Sequence, residues 1–181
     1  MHPDVERVLF TAEDIQAAVE RIGGEIEERY ADVEPGSLVF VGLLRGSAIF
    51  MSDLVRAVNL PLEMDYMVVS SYGNNAKSSG SVKVIKDVSS DIADKHVIVV
   101  EDVLDSGLTL SKTLEHLKAK KPASIEIVTL VLKNVDGQKR VECSAIGFDC
   151  PNEFIVGYGL DYAERYRNLP YIGVLKPEVY S

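Results

Sequence analysis

Two cysteines, Cys143 and Cys150, are too few and wrongly spaced for a disulfide framework or a zinc site. The three histidines, His2, His96 and His116, are scattered and form no ligand cluster. His116 falls beside an apolar helical stripe and reads as a partly buried surface residue. No basic run occurs and the formal net charge is −9, which argues against non-specific binding of nucleic acid. No apolar stretch reaches membrane length, and the opening MHPDVERVLF is charged, so neither a membrane span nor a signal peptide is expected. The chain therefore reads as soluble and cytoplasmic. A GxxxxGKS/T motif is missing, which excludes a P-loop; GxGxxG after a strand is missing too, which sets a dinucleotide-binding oxidoreductase last. Repeats, low-complexity tracts and long linkers are also missing. What is there is 181 residues with 46% hydrophobic content. That suffices for one domain in which folding buries roughly 70% of the extended-chain surface.

The most informative stretch is VIVVEDVLDSGLTL, residues 97–110. Val97, Ile98, Val99 and Val100 read as a strand buried on both faces. Glu101 and Asp102 follow where that strand is expected to end, and Asp105, Ser106, Gly107 and Thr109 come next. The spacing of Leu110, Leu114 and Leu117 then predicts a helix ending near Lys121. A strand, a small polar loop and a helix start present free backbone N–H groups and a positive dipole end to an anion. Three neighbouring carboxylates would repel that anion, since two unit charges about 4 Å apart interact by roughly 4 kcal/mol at a protein surface. The acids make sense if they bind hydroxyl groups or a hard divalent cation carried with the phosphates. Magnesium suits that task, because it takes one or two carboxylates and completes its shell with water and phosphate oxygens. The implied ligand is a sugar phosphate. The plainer alternative is an acidic loop capped by Asp105 or Ser106 and facing solvent, and this stretch alone does not decide between the two.

Elsewhere strands and helices alternate. Thr11, with Asp14 three residues on, opens an amphipathic helix through about Tyr30, with Gly23 and Gly24 weakening its middle. Strands are expected over 37–44, 62–70, 81–86, 97–100 and 124–132, with helices over 47–58 and about 110–121. Short strands follow near 145–148, 154–158 and 172–175. This order predicts an α/β fold with a central, mostly parallel sheet flanked by helices on both faces. Ligands of such sheets bind beyond the carboxyl ends of the strands, where residues 101–109 fall.

Four further segments can be tied to chemistry. In GLLRGS, residues 42–47, Gly46 permits a backbone conformation that other residues resist, and Arg45 brings a cation to the same turn. By itself this is an ordinary turn with a solvated arginine. SYGNNAKSSG, residues 71–80, is polar and lacks apolar anchors, so it reads as a loop. Lys133 directly follows the apolar run 127–132, where a lysine is usually solvated. In EFIVGYGLDYAERYR, residues 153–167, Phe154 is by base rate a core residue.

Taken together, these segments resemble the type I phosphoribosyltransferases, whose phosphoribosyl-pyrophosphate signature VIVVEDVLDSGLTL is similar to. The companion segments, GYGLDYAERYRNLP above all, resemble the hypoxanthine-guanine branch in its short bacterial form. The likeness runs from about Glu13 to the end of the chain. It implies a core over about 35–150 and a small hood from about 1–15 and 150–181. It also implies a magnesium-dependent purine salvage transferase acting through an oxocarbenium-like transition state. Such an enzyme converts hypoxanthine or guanine, both 6-oxopurines, and phosphoribosyl pyrophosphate to IMP or GMP and pyrophosphate.

Carried over residue by residue, the resemblance gives Glu101 and Asp102 the ribose hydroxyls, directly or through magnesium. Ser106, Gly107, Leu108 and Thr109 hold the 5′-phosphate, and Asp105 holds the purine N7 proton as general base or acceptor. Leu44, Arg45 and Gly46 bind pyrophosphate, with a cis peptide before Arg45, and Arg167 meets the same group. Ser71 and Tyr72 lie on a loop that folds over the reacting centre and excludes water. Lys133 donates to the exocyclic oxygen of a 6-oxopurine, a contact that adenine cannot accept. Phe154 stacks on the purine, backbone around Ile155 reads its edge, and Asp161 helps place a second magnesium through water. A homodimer or homotetramer is implied, with no nucleic-acid or membrane partner. Two alternatives stay open: a xanthine-preferring transferase, about which Lys133 says little, and a non-enzymatic regulator that senses phosphoribosyl pyrophosphate.

Overall fold

The long apolar runs become the middle of a six-stranded sheet in the computed structural model, which describes residues 1–71, 82–105, 107–134 and 142–181. The elements are β1 (Val5–Phe10), α1 (Ala12–Arg29), β2 (Leu38–Leu44), α2 (Ala48–Arg56), β3 (Glu63–Ser71), β4 (Val82–Lys86) and β5 (His96–Leu104). They continue with α3 (Leu108–Lys118), β6 (Ser124–Asn134), β7 (Ala145–Pro151), β8 (Ile155–Val156), β9 (Ile172–Leu175) and α4 (Pro177–Tyr180). The large sheet has the order β4-β3-β2-β5-β6-β7, and every pairing except β3 with β4 is parallel. A second sheet, ordered β1-β9-β8 and antiparallel, is built from both chain ends.

Alternation along the strands sorts side chains onto two faces. Leu38, Phe40, Ile98, Val100 and Val128 pack with Ile15, Ile22 and Ile26 of α1 and Phe50 and Leu54 of α2. On the opposite face Val39, Val41, Leu43, Val97 and Val99 pack with Leu110 and Leu117 of α3. Both faces are covered, so the strands tolerate no polar alternation, and Val97 to Val100 are fully buried. Thr11 caps α1 in a reciprocal box: Asp14 N–H donates to Thr11 Oγ1 (3.1 Å) and Thr11 N–H to Asp14 Oδ2 (2.9 Å). The helix runs unbroken through Gly23 and Gly24. A Cβ on Gly23 would lie 2.6 Å from the Ala57 carbonyl oxygen, so this glycine lets α1 approach the end of α2. No helix among the described residues is long and apolar enough to cross a membrane.

Three element boundaries differ from expectation. β5 continues past Val100 to Leu104, because Glu101, Val103 and Leu104 stay paired to Thr129, Val131 and Leu132 of β6. Lys133 lies within β6, opposite Cys150, rather than after it. The strand expected over 154–158 is only Ile155–Val156, since the chain turns into left-handed backbone at Gly157, Tyr158 and Gly159. β1 and α4 were not anticipated. Tyr72 and Ser106, both expected at the site, lie outside the described residues.

Asp65, at the start of β3, shows how a polar group survives at the sheet edge. Burial alone would raise its carboxyl, but N–H groups of Ser90, Tyr66 and Ser89 and the Lys86 ammonium outweigh burial and bring it down to about 2. A drop from 3.8 to about 2 corresponds to about 2 kcal/mol. Because the folded value is depressed, that stability is present above about pH 4 and is lost as pH falls toward 2. Asp65→Asn is therefore expected to cost about 2 kcal/mol at pH 7, with the gap to wild type closing near pH 2. Urea unfolding at both pH values measures it; a pH-independent gap would show that the charge is not what holds the carboxylate.

Candidate active site

Strand order reverses between β2 and β5, the place where open parallel sheets leave a crevice at their carboxyl ends. Their ladder stops at Gly42 and Val100, and each strand then continues alone on that side, β2 to Leu44 and β5 to Leu104. The crevice is therefore lined by the last residues of both strands and by whatever follows them.

From β5 come the two adjacent acids. Glu101 is half-buried, and its Oε2 is out of solvent without a hydrogen-bond partner. Burial, and secondarily the charge of Asp102, push its carboxyl well above the usual carboxylate range. Asp102 is pushed up to about 6, chiefly by burial; N–H groups of Val103 and of Asp102 itself and the Arg167 guanidinium oppose the shift, and Asp161 adds to it. Desolvated side-by-side carboxyls of this kind call for a cation or hydroxyl donors.

From β2 comes the turn at Leu44, Arg45 and Gly46, and the Leu44–Arg45 peptide is cis, as the resemblance implies. Gly46 is needed for space rather than for conformation. It is absent from the left-handed region, but a Cβ on it would lie 1.7 Å from Asp102 Oδ2. Gly159, at φ +99°, closes on the same turn, and its own Cβ would lie 2.2 Å from the Gly46 carbonyl oxygen. Gly46 is thus clamped between the acid of β5 and the loop after β8.

That loop turns tightly, with Tyr158, Ala163, Glu164 and Tyr166 all at positive φ. Arg167 donates to the Gly159 carbonyl (2.7 Å) and pairs with Asp161 (2.9 Å) and Glu164 (3.2 Å). Glu164 also pairs with Arg45 at 3.0 Å. Sequence reasoning gives Glu164 and Gly159 no role, yet Glu164 links the two arginines assigned to pyrophosphate. The available signal was their place inside GYGLDYAERYRNLP.

The start of α3, just after β5, leaves its first backbone N–H groups without helical partners. Gly107, at φ +67°, is the N-cap of α3, and the first turn carries no acid to oppose the dipole. This corrects the reading of Asp105 as the cap: Asp105 is exposed and precedes the helix. Thr109 is half-buried in the first turn.

Between these parts lies a cavity of about 230 Å³ lined by Asp102, Val103, Lys133, Phe154, Ile155, Leu160 and Asp161. Five of its seven lining residues are candidates picked from the sequence. Asp105, Arg45, Thr109 and Arg167 do not line it. A larger cavity, about 560 Å³, is lined by His2, Asp4, Glu164, Arg165, Tyr166, Arg167, Asn168 and Leu169, so of the sequence-picked residues it takes in Arg167. It lacks the adjacent acids and the lysine, so the smaller cavity is the better candidate.

The phosphoribosyl transferase domain profile matches residues 11–163. The chain is 48% identical to the hypoxanthine-guanine phosphoribosyltransferase of Bacillus subtilis, covering all of this chain and 99% of that one. The chain belongs to the hypoxanthine-guanine phosphoribosyltransferase family. A crystal structure of a hypoxanthine phosphoribosyltransferase from Staphylococcus aureus superposes with a TM-score of 0.93 at 48% identity, covering 100% of this chain and 97% of that chain. The bifunctional protein TilS/HprT of Listeria monocytogenes is equally similar at 48% identity, but this chain spans only 28% of its length.

For a member of this family, the donor set fits magnesium. It offers hard carboxylate oxygens, one of them buried without a partner. Among the described residues no cluster of three or more histidine, cysteine or acidic groups forms a closed metal cage.

Proposed function

We propose that this chain converts hypoxanthine or guanine and phosphoribosyl pyrophosphate to IMP or GMP and pyrophosphate. The observation that carries this reading is the cavity that joins Asp102 and Asp161 to Lys133 and Phe154. Its lining combines two acids, which suit a polyhydroxyl, with an apolar ring and a single cation. A 6-oxopurine beside a ribose matches that combination. The reading takes the chain as one domain, with a core over about 35–150 and a hood from about 1–15 and 150–181.

On this reading the 5′-phosphate rests on the N–H groups at the start of α3, from Ser106, Gly107, Leu108 and Thr109. Glu101 and Asp102 hold the ribose hydroxyls and would also hold a magnesium ion, while Asp161 would help place a second one. When bound, magnesium supplies positive charge beside the phosphates. Pyrophosphate lies on the turn at Leu44, Arg45 and Gly46, and Arg167 reaches it by releasing Glu164. As the bond to C1′ breaks, Arg45 and Arg167 stabilise the charge that grows on the leaving group. The sugar becomes oxocarbenium-like, and the purine, stacked on Phe154 and oriented by Lys133 and the Ile155 backbone, attacks C1′. Asp105 accepts the N7 proton. Ser71 and Tyr72 belong to the segment that excludes water during this step. The enzyme is placed in the cytoplasm and assembles as a homodimer or homotetramer.

Pyrophosphate release, measured with phosphoribosyl pyrophosphate and magnesium and each purine offered separately, tests the reading. Turnover is expected with hypoxanthine and guanine and not with adenine. A preference for xanthine would move the base assignment. Tight binding of phosphoribosyl pyrophosphate without turnover on any base would replace the enzyme by a sensor.

A further inference from the structure

Phe154 is not a core residue. It is 37% exposed, and it stands in a cluster of three rings. Tyr180, from α4, stacks on it with centroids 4.7 Å apart and planes 19° from parallel. Tyr162 meets Phe154 edge-on at 5.4 Å and 87°, and meets Tyr180 at 6.4 Å and 68°. Phe154 lines the cavity beside Asp102 and Lys133, whereas neither tyrosine does. One face of the Phe154 ring is therefore committed to Tyr180, while the residue still presents surface to the cavity.

The path of the chain holds Tyr180 in place. Leu175 N–H donates to the Phe154 carbonyl (2.8 Å), which fixes the end of β9 beside the Phe154 backbone. Lys176 N–H donates to the Asp4 carbonyl (2.9 Å) at the entry to α4. Val179 packs into the cluster of Val5, Val156, Tyr166 and Leu175. With its helix anchored through Val179, Tyr180 lands on Phe154.

We propose that Tyr180 is a positioning residue for the purine: it is the outer layer of an aromatic stack in which Phe154 is the middle and the base the inner layer. The inference rests on the reading of Phe154 as the base-stacking ring. A solitary exposed phenylalanine loses rotamer freedom when a ligand orders it, and that loss weakens binding. A ring already stacked on one face has lost that freedom on folding, so the base meets a fixed surface. Tyr180 acts through Phe154 and touches neither the sugar nor the phosphates.

Steady-state kinetics of Tyr180→Ala, Tyr180→Phe and Phe154→Ala separate the possibilities. Tyr180→Ala is expected to raise KM for hypoxanthine by about three- to tenfold, the range of one aromatic pair. KM for phosphoribosyl pyrophosphate and kcat stay unchanged, and Tyr180→Phe restores the wild-type value because it keeps the ring. If Tyr180→Ala leaves the hypoxanthine KM unmoved, or raises both KM values alike, Tyr180 is only a structural anchor and the proposal fails. Phe154→Ala distinguishes that failure from a deeper one. A raised hypoxanthine KM in Phe154→Ala with none in Tyr180→Ala overturns the role of Tyr180 alone. No change in Phe154→Ala overturns the stacking reading itself, and this proposal with it.

Discussion

Asp105→Ala is expected to lower kcat by about 10²- to 10⁴-fold, the usual worth of a positioned acid or base, while KM for phosphoribosyl pyrophosphate stays close to wild type. The competing role for this residue was a helix cap, and its loss would typically cost about 1 kcal/mol of stability. The geometry of α3 removes that alternative, because Gly107 occupies the cap position in a left-handed conformation and Asp105 is exposed ahead of it. Among the described residues no side chain caps the first turn of α3, so its helical form does not rest on the Asp105 carboxylate. Losing the carboxylate should therefore spare the cradle and remove only the acceptor for the purine proton. Asp105→Asn is the informative companion, since its amide oxygen still accepts a hydrogen bond but cannot take the proton. Nucleotide formation from hypoxanthine measures both variants. Equal losses in kcat and in phosphoribosyl-pyrophosphate binding would mean that Asp105 shapes the loop, and the N7 assignment would fall.

The sheet was legible because its central strands are buried on both faces and so read as unbroken apolar runs; β2, β5 and β6 were all placed from that signal. The start of α1 was legible from Thr11 and Asp14, whose local bonds need no tertiary context. What stays illegible depends on partners distant in sequence. β1 has only Val5 fully buried and gains its register from β9, about the whole chain away, so no local window carries the signal. β5 was cut short at Val100 because an apolar-run criterion stops at Glu101, yet backbone pairing to β6 carries the strand through the acids. That extension places the acids on a rigid element rather than on a loop, and it explains their desolvation. Phe154 reverses the usual inference for an apolar residue: stacked on a tyrosine yet still partly exposed, it is an aromatic surface rather than core. The acids and the small polar loop over 101–109 are legible from the residues themselves, while the roles of Lys133, Phe154, Asp161 and Arg167 come through the resemblance. The meeting of Asp102, Lys133, Phe154, Ile155 and Asp161 at one cavity, and the links through Glu164 and Gly159, depend on tertiary packing.

Gly46→Ala is expected to reduce kcat/KM for phosphoribosyl pyrophosphate by about 10²-fold or more, the scale set by a misplacement of roughly 1 Å in reacting groups. The added methyl would sit 1.7 Å from Asp102 Oδ2, far inside contact distance. The carboxylate can yield only by rotating away from the position where it shares the crevice with Glu101, or the turn at Leu44 and Arg45 must move instead. Either response separates Asp102 from the turn at Leu44, Arg45 and Gly46, so the loss follows whichever group gives way. Gly159→Ala approaches the same turn from the other side and is expected to be worse for folding. Its methyl meets the Gly46 carbonyl at 2.2 Å, a backbone atom that cannot swing aside, and its φ of +99° is unsuited to alanine. Gly24→Ala is the control: its Cβ meets nothing within 4 Å and the residue lies inside α1. There alanine should stabilise by about 0.5–1 kcal/mol and leave kinetics untouched. If Gly46→Ala matched that control in kcat/KM, the turn and Asp102 would not act as one unit, and the placement of pyrophosphate beside the ribose acids would have to be abandoned.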